Sequence, residues 1–112
     1  MLCESTAGGL ELKRRDGSWV AVPSVRGQIV VDAADMIQHF SNGVFRSTTH
    51  RVVQGGLADE ARFSMPFFAH PRKEVDLSPP KACLDLTGGK ALYEQTTAGE
   101  FLAKRLAEIG LT

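Results

Sequence analysis

The sequence predicts a mainly β domain of jelly-roll type, closed by one C-terminal α-helix. Three observations predict it. Short apolar–polar runs recur between Leu10 and Phe68, glycine and proline punctuate them, and the period turns helical only after Thr97.

The first runs are Leu10 to Lys13 and Trp19 to Val22, joined by Arg14-Arg15-Asp16-Gly17-Ser18. Asp-Gly between two such runs signals a hairpin, because glycine takes the positive φ of the turn. Gly8-Gly9 marks a break before the first run. Pro23 ends the second, since it has no N–H to give a ladder. Gln28 to Val31 is β-branched and reads as a buried strand. Asp32 to Phe40 mixes acids and apolar residues and fits either a helical turn or a bent strand. Ser41-Asn42-Gly43 reads as a turn.

Phe45 to Phe68 holds two strand-like runs around a polar loop. Alternation places Arg46, Thr48, His50 and Val52 on one face of the first, and Arg62, Ser64, Pro66 and Phe68 on one face of the second. His70-Pro71 and Ser78-Pro79-Pro80 then bracket a loop around a short extended piece, Glu74 to Leu77. Thr97-Ala98-Gly99-Glu100 has the form of a capping box. Leu102, Leu106 and Ile109 follow at helical spacing, and Gly110 closes the helix. The total is about six short strands and a terminal helix, with no internal repeat.

At 112 residues the chain makes one domain at most. A hydrophobic content of 43% and a charged content of 23% are ordinary for a globular chain. Lys plus Arg equals Asp plus Glu at 13 each, and aromatics do not alternate with cations, so no nucleic-acid partner is expected. There is no long apolar span, so no membrane partner is expected either. Cys3 and Cys83 have no CxxC spacing and read as reduced thiols in a cytoplasmic protein.

His50 is the first candidate for chemistry, because neutral imidazole is the commonest protein ligand for iron, zinc or copper. An isolated histidine in a strand equally reads as a core or edge residue with a satisfied hydrogen bond. Arg62 and Ser64 form the second candidate. A guanidinium fork grips a carboxylate through two hydrogen bonds, and a hydroxyl two residues on adds a third from the same side. The alternative is a strand arginine paired with Asp or Glu. His39 and His70 read as surface residues. Asp32 and Asp35 could be further ligands, though aspartate at such places ordinarily caps or turns the chain. Gly55-Gly56 lacks the strand–GxxxxGK–helix context of a phosphate loop.

Taken together, GGLEL, GSWVAV, GQIVVDAADMIQHFSNGVFRSTTHRVV and ARFSMPFFAHP, in that order, resemble the C-terminal part of the iron(II)/2-oxoglutarate-dependent oxygenases, isopenicillin N synthase-like branch. The resemblance covers about Leu2 to Pro71. Ser41-Asn42-Gly43, Thr49-His50-Arg51-Val52 and Arg62-Phe63-Ser64 carry most of it. It implies a partial double-stranded β-helix to about residue 71, with a C-terminal extension and helix over 72–112. His50 is then the distal histidine of a two-histidine, one-carboxylate iron site. Arg62 and Ser64 become the clamp on the far carboxylate of 2-oxoglutarate, with Phe68 an aromatic near it. The two strand-like runs would lie in opposing sheets rather than form a hairpin. Asp35 matches an acid that is structural in the family, and Ala34 stands where a glycine is usual.

One departure bears on function. The family's HxD motif supplies the other two iron ligands, and nothing here matches it: His39, His50 and His70 are followed two residues on by Ser41, Val52 and Arg72. In the family that motif lies a short distance upstream of the position where Met1 stands, and Met1-Leu2-Cys3 runs almost directly into a strand pattern, so a fragment is expected. The expected function is that of the C-terminal part of an oxidoreductase coupling 2-oxoglutarate decarboxylation to oxidation of a small-molecule substrate at Fe(II), inactive alone. The alternative is a non-catalytic β module that self-associates or is completed by a separate N-terminal chain. A third reading recruits Asp32 or Asp35 beside His50 as metal ligands between copies.

Overall fold

A computed structural model describes residues 1–54 and 61–111. The Gly55-Gly56 pair lies outside the described residues. The described chain divides into two compact units, one of residues 1–32 and 48–69, the other of residues 33–47 and 70–112.

The first unit is built on a three-stranded antiparallel sheet of β1 (Leu10–Lys13), β2 (Trp19–Ala21) and β3 (His50–Val52), in the order β2-β1-β3. The predicted hairpin forms. Gly17 sits at φ 86°, its N–H bonds to the Arg14 carbonyl, and the Asp16 carboxylate accepts from both the N–H and the hydroxyl of Ser18. Register pairs Leu12 with both Val20 and His50, and Glu11 with both Ala21 and Arg51. Period-two alternation therefore puts Leu10, Leu12, Val20, His50 and Val52 on one face. On the other face the Arg51 Nε donates to Glu11 at 2.7 Å, and its guanidinium lies 3.9 Å from the Trp19 ring centroid. The opposed charges and the ring hold the three strands in register.

His50–Val52 and the Arg62–Phe68 run do not pair with each other. The first pairs with β1, whereas the second hydrogen-bonds along the N-terminus: Cys3 N–H to Met65, Thr6 N–H to Phe63 and Phe67 N–H to Met1. Leu2 bridges both Pro66 and Val30. Pro66 cannot donate, so this pairing stays a bridge rather than a continuous ladder.

The strand content is lower than the six runs expected. Gln28–Val31 is not a buried strand: only Val30 bridges, while Ile29 and Val31 are 59% and 70% exposed. β-Branched composition made the segment look buried, but only Leu2 pairs with it among the described residues, and the face carrying Ile29 and Val31 is left open.

The second unit carries three helices: α1 (Asp35–Phe40), α2 (Lys81–Leu86) and α3 (Ala98–Glu108). The ambiguous segment before Ser41 thus resolves as helix. It ends in the expected turn, with Asn42 at φ 52° and Gly43 at φ 84°. α2 was hidden by Pro79-Pro80, which read as loop. Proline is tolerated at a helix start, where its missing N–H would have no intrahelical partner, and Pro80 is the N-cap here. The capping box of α3 is complete, with Thr97 accepting from the Glu100 N–H and Glu100 accepting from the Thr97 N–H. At the other end the Leu111 N–H bonds to Leu106 and the Gly110 N–H to Ala107, a Schellman closure on Gly110 at φ 75°. The piece around Asp76 pairs with Thr97, and Leu77 and Ala98 form the buried apolar centre of this unit.

His39 is not a surface residue. It is buried, its ring stacks on Tyr93 at 5.0 Å and meets the edge of Phe101 at 5.2 Å, and its Nε2 donates to the Glu94 carbonyl at 3.0 Å. A polar context in sequence gave no sign that two aromatics more than fifty positions away would enclose it. His70 is exposed, as expected.

Candidate functional site: a carboxylate clamp and a strand histidine

His50, Arg62, Ser64, Phe68 and Asp32 fall in the first unit, whereas Asp35, His39 and His70 fall in the second. Arg62 and Ser64, two apart on an extended run, project to the same side, as alternation requires. The Arg62 Nη1 donates to the Ser64 Oγ at 3.0 Å, and its Nε donates to the Gly8 carbonyl at 2.9 Å. The remaining nitrogen, Nη2, is buried and has no partner among the described residues. A buried guanidinium N–H without an acceptor is costly, because the group has given up water without replacement. The Gly8 carbonyl was not foreseen from sequence. Gly8-Gly9 signalled only a chain break, and Arg62 follows it by more than fifty residues.

Arg62 lines a small cavity with Cys3, Leu10, Val22 and Val30, of about 30 Å³. That volume admits a water or two but not a larger molecule without opening. Leu10 shares its sheet face with His50, so the histidine projects from the face that lines this cavity.

His50 opens β3, and its ring is 54% exposed. The Nδ1 lies 3.0 Å from the Thr48 carbonyl oxygen and 3.8 Å from Oδ2 of Asp32. A carbonyl only accepts, so the neutral ring carries its proton on Nδ1 and keeps the Nε2 lone pair for a ligand. His50 makes no hydrogen bond or ion pair with Arg62 or Ser64 among the described residues. Phe68 is 75% exposed. Asp35 stands apart from this set, in the first turn of α1, 3.8 Å from the Arg105 Nε.

The two implied small partners fit the residues differently. A carboxylate fits Arg62: the orphaned Nη2 is a donor in want of an acceptor, with the Ser64 hydroxyl alongside. Fe(II) does not find a complete set. No three His, Cys, Asp or Glu side chains gather among the described residues, so His50 stands as one ligand where a facial site needs three. Cys3 and Cys83 are free thiols, as the sequence led us to expect. No helix among the described residues is long and apolar enough to cross a membrane.

An extended arginine–serine pair thus stands in the same unit as a sheet bearing one histidine. The sequence profile of the 2OG-Fe(II) oxygenase superfamily matches residues 1–71, and the chain belongs to that family. Its relatives include a homoarginine-6-hydroxylase of Oryza sativa subsp. japonica, 32% identical over 87% of this chain and 29% of the relative. A feruloyl CoA ortho-hydroxylase of Ipomoea batatas is 33% identical over 91% of this chain and 28% of its own length. Among solved structures, a 2OG-Fe(II) oxygenase family protein from Caulobacter crescentus superposes with a TM-score of 0.79 at 32% identity, covering 96% of this chain and 36% of the other. A full-length Neurospora crassa protein in complex with alpha-KG superposes at 0.83 with 26% identity, covering 96% and 33%. The fold is accordingly a partial jelly roll with a C-terminal helix. The chain spans under a third of the curated relatives it matches. The family's metal and co-substrate are Fe(II) and 2-oxoglutarate, and its members act on small molecules.

Proposed function

We propose that this chain is the 2-oxoglutarate-holding C-terminal part of an Fe(II)/2-oxoglutarate oxygenase, with its jelly-roll portion ending near residue 71 and an extension over 72–112. Arg62 and Ser64 hold the far carboxylate of 2-oxoglutarate, and His50 offers Nε2 as one iron ligand. The observation that carries this reading is the buried Nη2 of Arg62, which has no partner among the described residues. When iron is bound in a complete site, the chemistry it supplies is oxidative decarboxylation of 2-oxoglutarate to succinate and carbon dioxide, with oxygen's other atom going to the substrate. The residues of this chain contribute binding and orientation. Arg62 neutralises the remote carboxylate, Ser64 fixes the plane of the guanidinium, and Gly8 anchors Nε so that the fork cannot rotate away. With one ligand of three among the described residues, the chain alone is inactive in this reading.

The direct test is titration of the 112-residue chain with 2-oxoglutarate, with and without Mn(II) as a redox-silent metal, beside Arg62→Ala and His50→Ala. Arg62-dependent binding of 2-oxoglutarate supports the clamp, and unchanged binding in Arg62→Ala removes it. His50-dependent Mn(II) binding would mean that other groups complete the metal site, from this chain or a second copy, and would reopen a role for Asp32 as a ligand.

A second reading draws on a separate observation. Phe63, Met65, Phe67 and Phe68 are all more than half exposed in one run. Contiguous apolar surface of this kind favours association, and β2 and β3 are open sheet edges. In this reading the chain is a non-catalytic β module that self-associates or pairs with a separate N-terminal chain. Sedimentation over a wide concentration range decides it: a strict monomer removes self-association.

A further inference from the structure

The acid paired with His50 lies outside both the Arg62–Ser64 pair and the named strands. Asp32 lies outside the named strands, is exposed, and has His50 as its ion-pair partner, with Oδ2 3.8 Å from Nδ1. At that distance it is too far for a good hydrogen bond, which the Thr48 carbonyl makes at 3.0 Å. It is close enough for its charge to act on the ring. Two oxygens therefore face Nδ1, one of them anionic, and Nε2 has no hydrogen bond among the described residues.

We propose that Asp32 is a positioning residue for His50: its carboxylate, together with the Thr48 carbonyl, holds the imidazole as the Nδ1–H tautomer and turns Nε2 outward as the electron-rich donor. The negative charge beside Nδ1–H favours the proton there over Nε2 and raises the donor strength of the opposite nitrogen. Carboxylates placed behind ligating histidines act in this way. The proposal rests on the reading of His50 as a ligand only for its consequence at a metal; the tautomer stands by itself.

The test has two arms in the intact chain. The first is nitrogen-15 NMR of the neutral His50 ring without metal, in wild type, Asp32→Asn and Asp32→Ala. We expect Nδ1–H to dominate in wild type and the Nε2–H share to rise several-fold in both variants. The isosteric Asn separates charge from shape, and matching amide spectra establish that the fold is kept. A wild-type ring protonated on Nε2, or a tautomer ratio unmoved by both substitutions, overturns the proposal. The second arm is Mn(II) affinity. If wild type binds through His50, Asp32→Ala should weaken binding about tenfold or more, the usual cost of losing a partner behind a ligand. A shifted tautomer with unchanged affinity overturns the link to the metal. If wild type binds no Mn(II), as a site with one ligand of three implies, the NMR arm alone decides the role of Asp32.

Discussion

The Nη1 of Arg62 donates to the Ser64 hydroxyl at 3.0 Å while its Nη2, on the same guanidinium, is buried with no acceptor among the described residues. This asymmetry sets Arg62 apart from an ordinary strand arginine. A structural arginine would have closed an ion pair with Asp or Glu, and Arg62 closes none among the described residues. Arg62→Lys keeps the charge but loses the planar fork. Hydrogen bonds to charged groups are worth about 1.5–3 kcal/mol, so 2-oxoglutarate affinity should fall about 10- to 100-fold. Ser64→Ala should cost less, a few-fold. Calorimetric titration measures both, and 2-oxobutyrate, which lacks the far carboxylate, is the control. Equal losses for the two ligands would mean that Arg62 does not hold that carboxylate.

Asn42 should be the most sensitive polar position in the second unit. Its side chain is fully buried, donating to Thr87 Oγ1 and the Lys90 carbonyl and accepting from the Leu92 N–H. It also sits at φ 52°, where asparagine is tolerated and alanine is not. Asn42→Ala strands several partners at once and should destabilise by about 2–4 kcal/mol in urea unfolding. Asn42→Gly relieves only the backbone and should recover about 1 kcal/mol of that loss. Identical losses in the two variants would show that the backbone conformation adds nothing.

The readable parts of the sequence were those where local chemistry decides the structure. Asp16-Gly17 gave the hairpin, and Thr97, Glu100 and Gly110 gave both ends of α3, because each acts within a few residues of itself. Arg62 beside Ser64 was legible for the same reason, since period two sets it. What escaped was nonlocal. His39 is buried by Tyr93 and Phe101, Gly8 anchors Arg62, and Ile29 and Val31 stay exposed because, among the described residues, only Leu2 pairs with their segment. No pattern within a window of ten residues encodes any of these.

Gly99 illustrates a local preference overruled by packing. At an exposed helical site, glycine to alanine would stabilise by about 1 kcal/mol. Here a Cβ would lie 2.8 Å from the Lys73 Cβ and 3.1 Å from the Lys73 carbonyl oxygen, the oxygen that accepts from the Gly99 N–H. These are main-chain and first-carbon atoms, which cannot swing aside. Gly99→Ala should therefore lower stability, by about 1–2 kcal/mol net once the helix gain is set against overpacking. A melting temperature at or above wild type would show that Lys73 yields freely.

Acid should loosen the start of α3 before the rest of the molecule responds. Glu100 accepts from the Thr97 N–H and from the Thr96 hydroxyl, and the backbone bond above all holds its carboxyl below the ordinary value of 4.5. A carboxyl depressed in the folded state stabilises fully above its unfolded value and loses that contribution as pH falls through the folded one. The loss from the capping box therefore begins near pH 4.5 and grows downward. Glu94, lowered by its hydrogen bond from Lys104, titrates in the same window and sense. The two can be separated by salt. The Glu94–Lys104 pair is exposed and should be screened by about 1 M salt, whereas the box is held by short hydrogen bonds and should persist. Helicity and urea stability followed from pH 6 to pH 3 in high salt should thus fall in wild type and fall less in Glu100→Gln. Thr97→Ala should lower stability by about 1 kcal/mol in acid, where only the cap to the Glu100 N–H is lost, and by more at neutral pH, because its side chain also helps to hold the Glu100 carboxyl down. Equal pH slopes in wild type and Glu100→Gln would mean that the acid limb belongs to other carboxylates, Asp16 and Asp76 being the next whose values are held down by neighbouring serines.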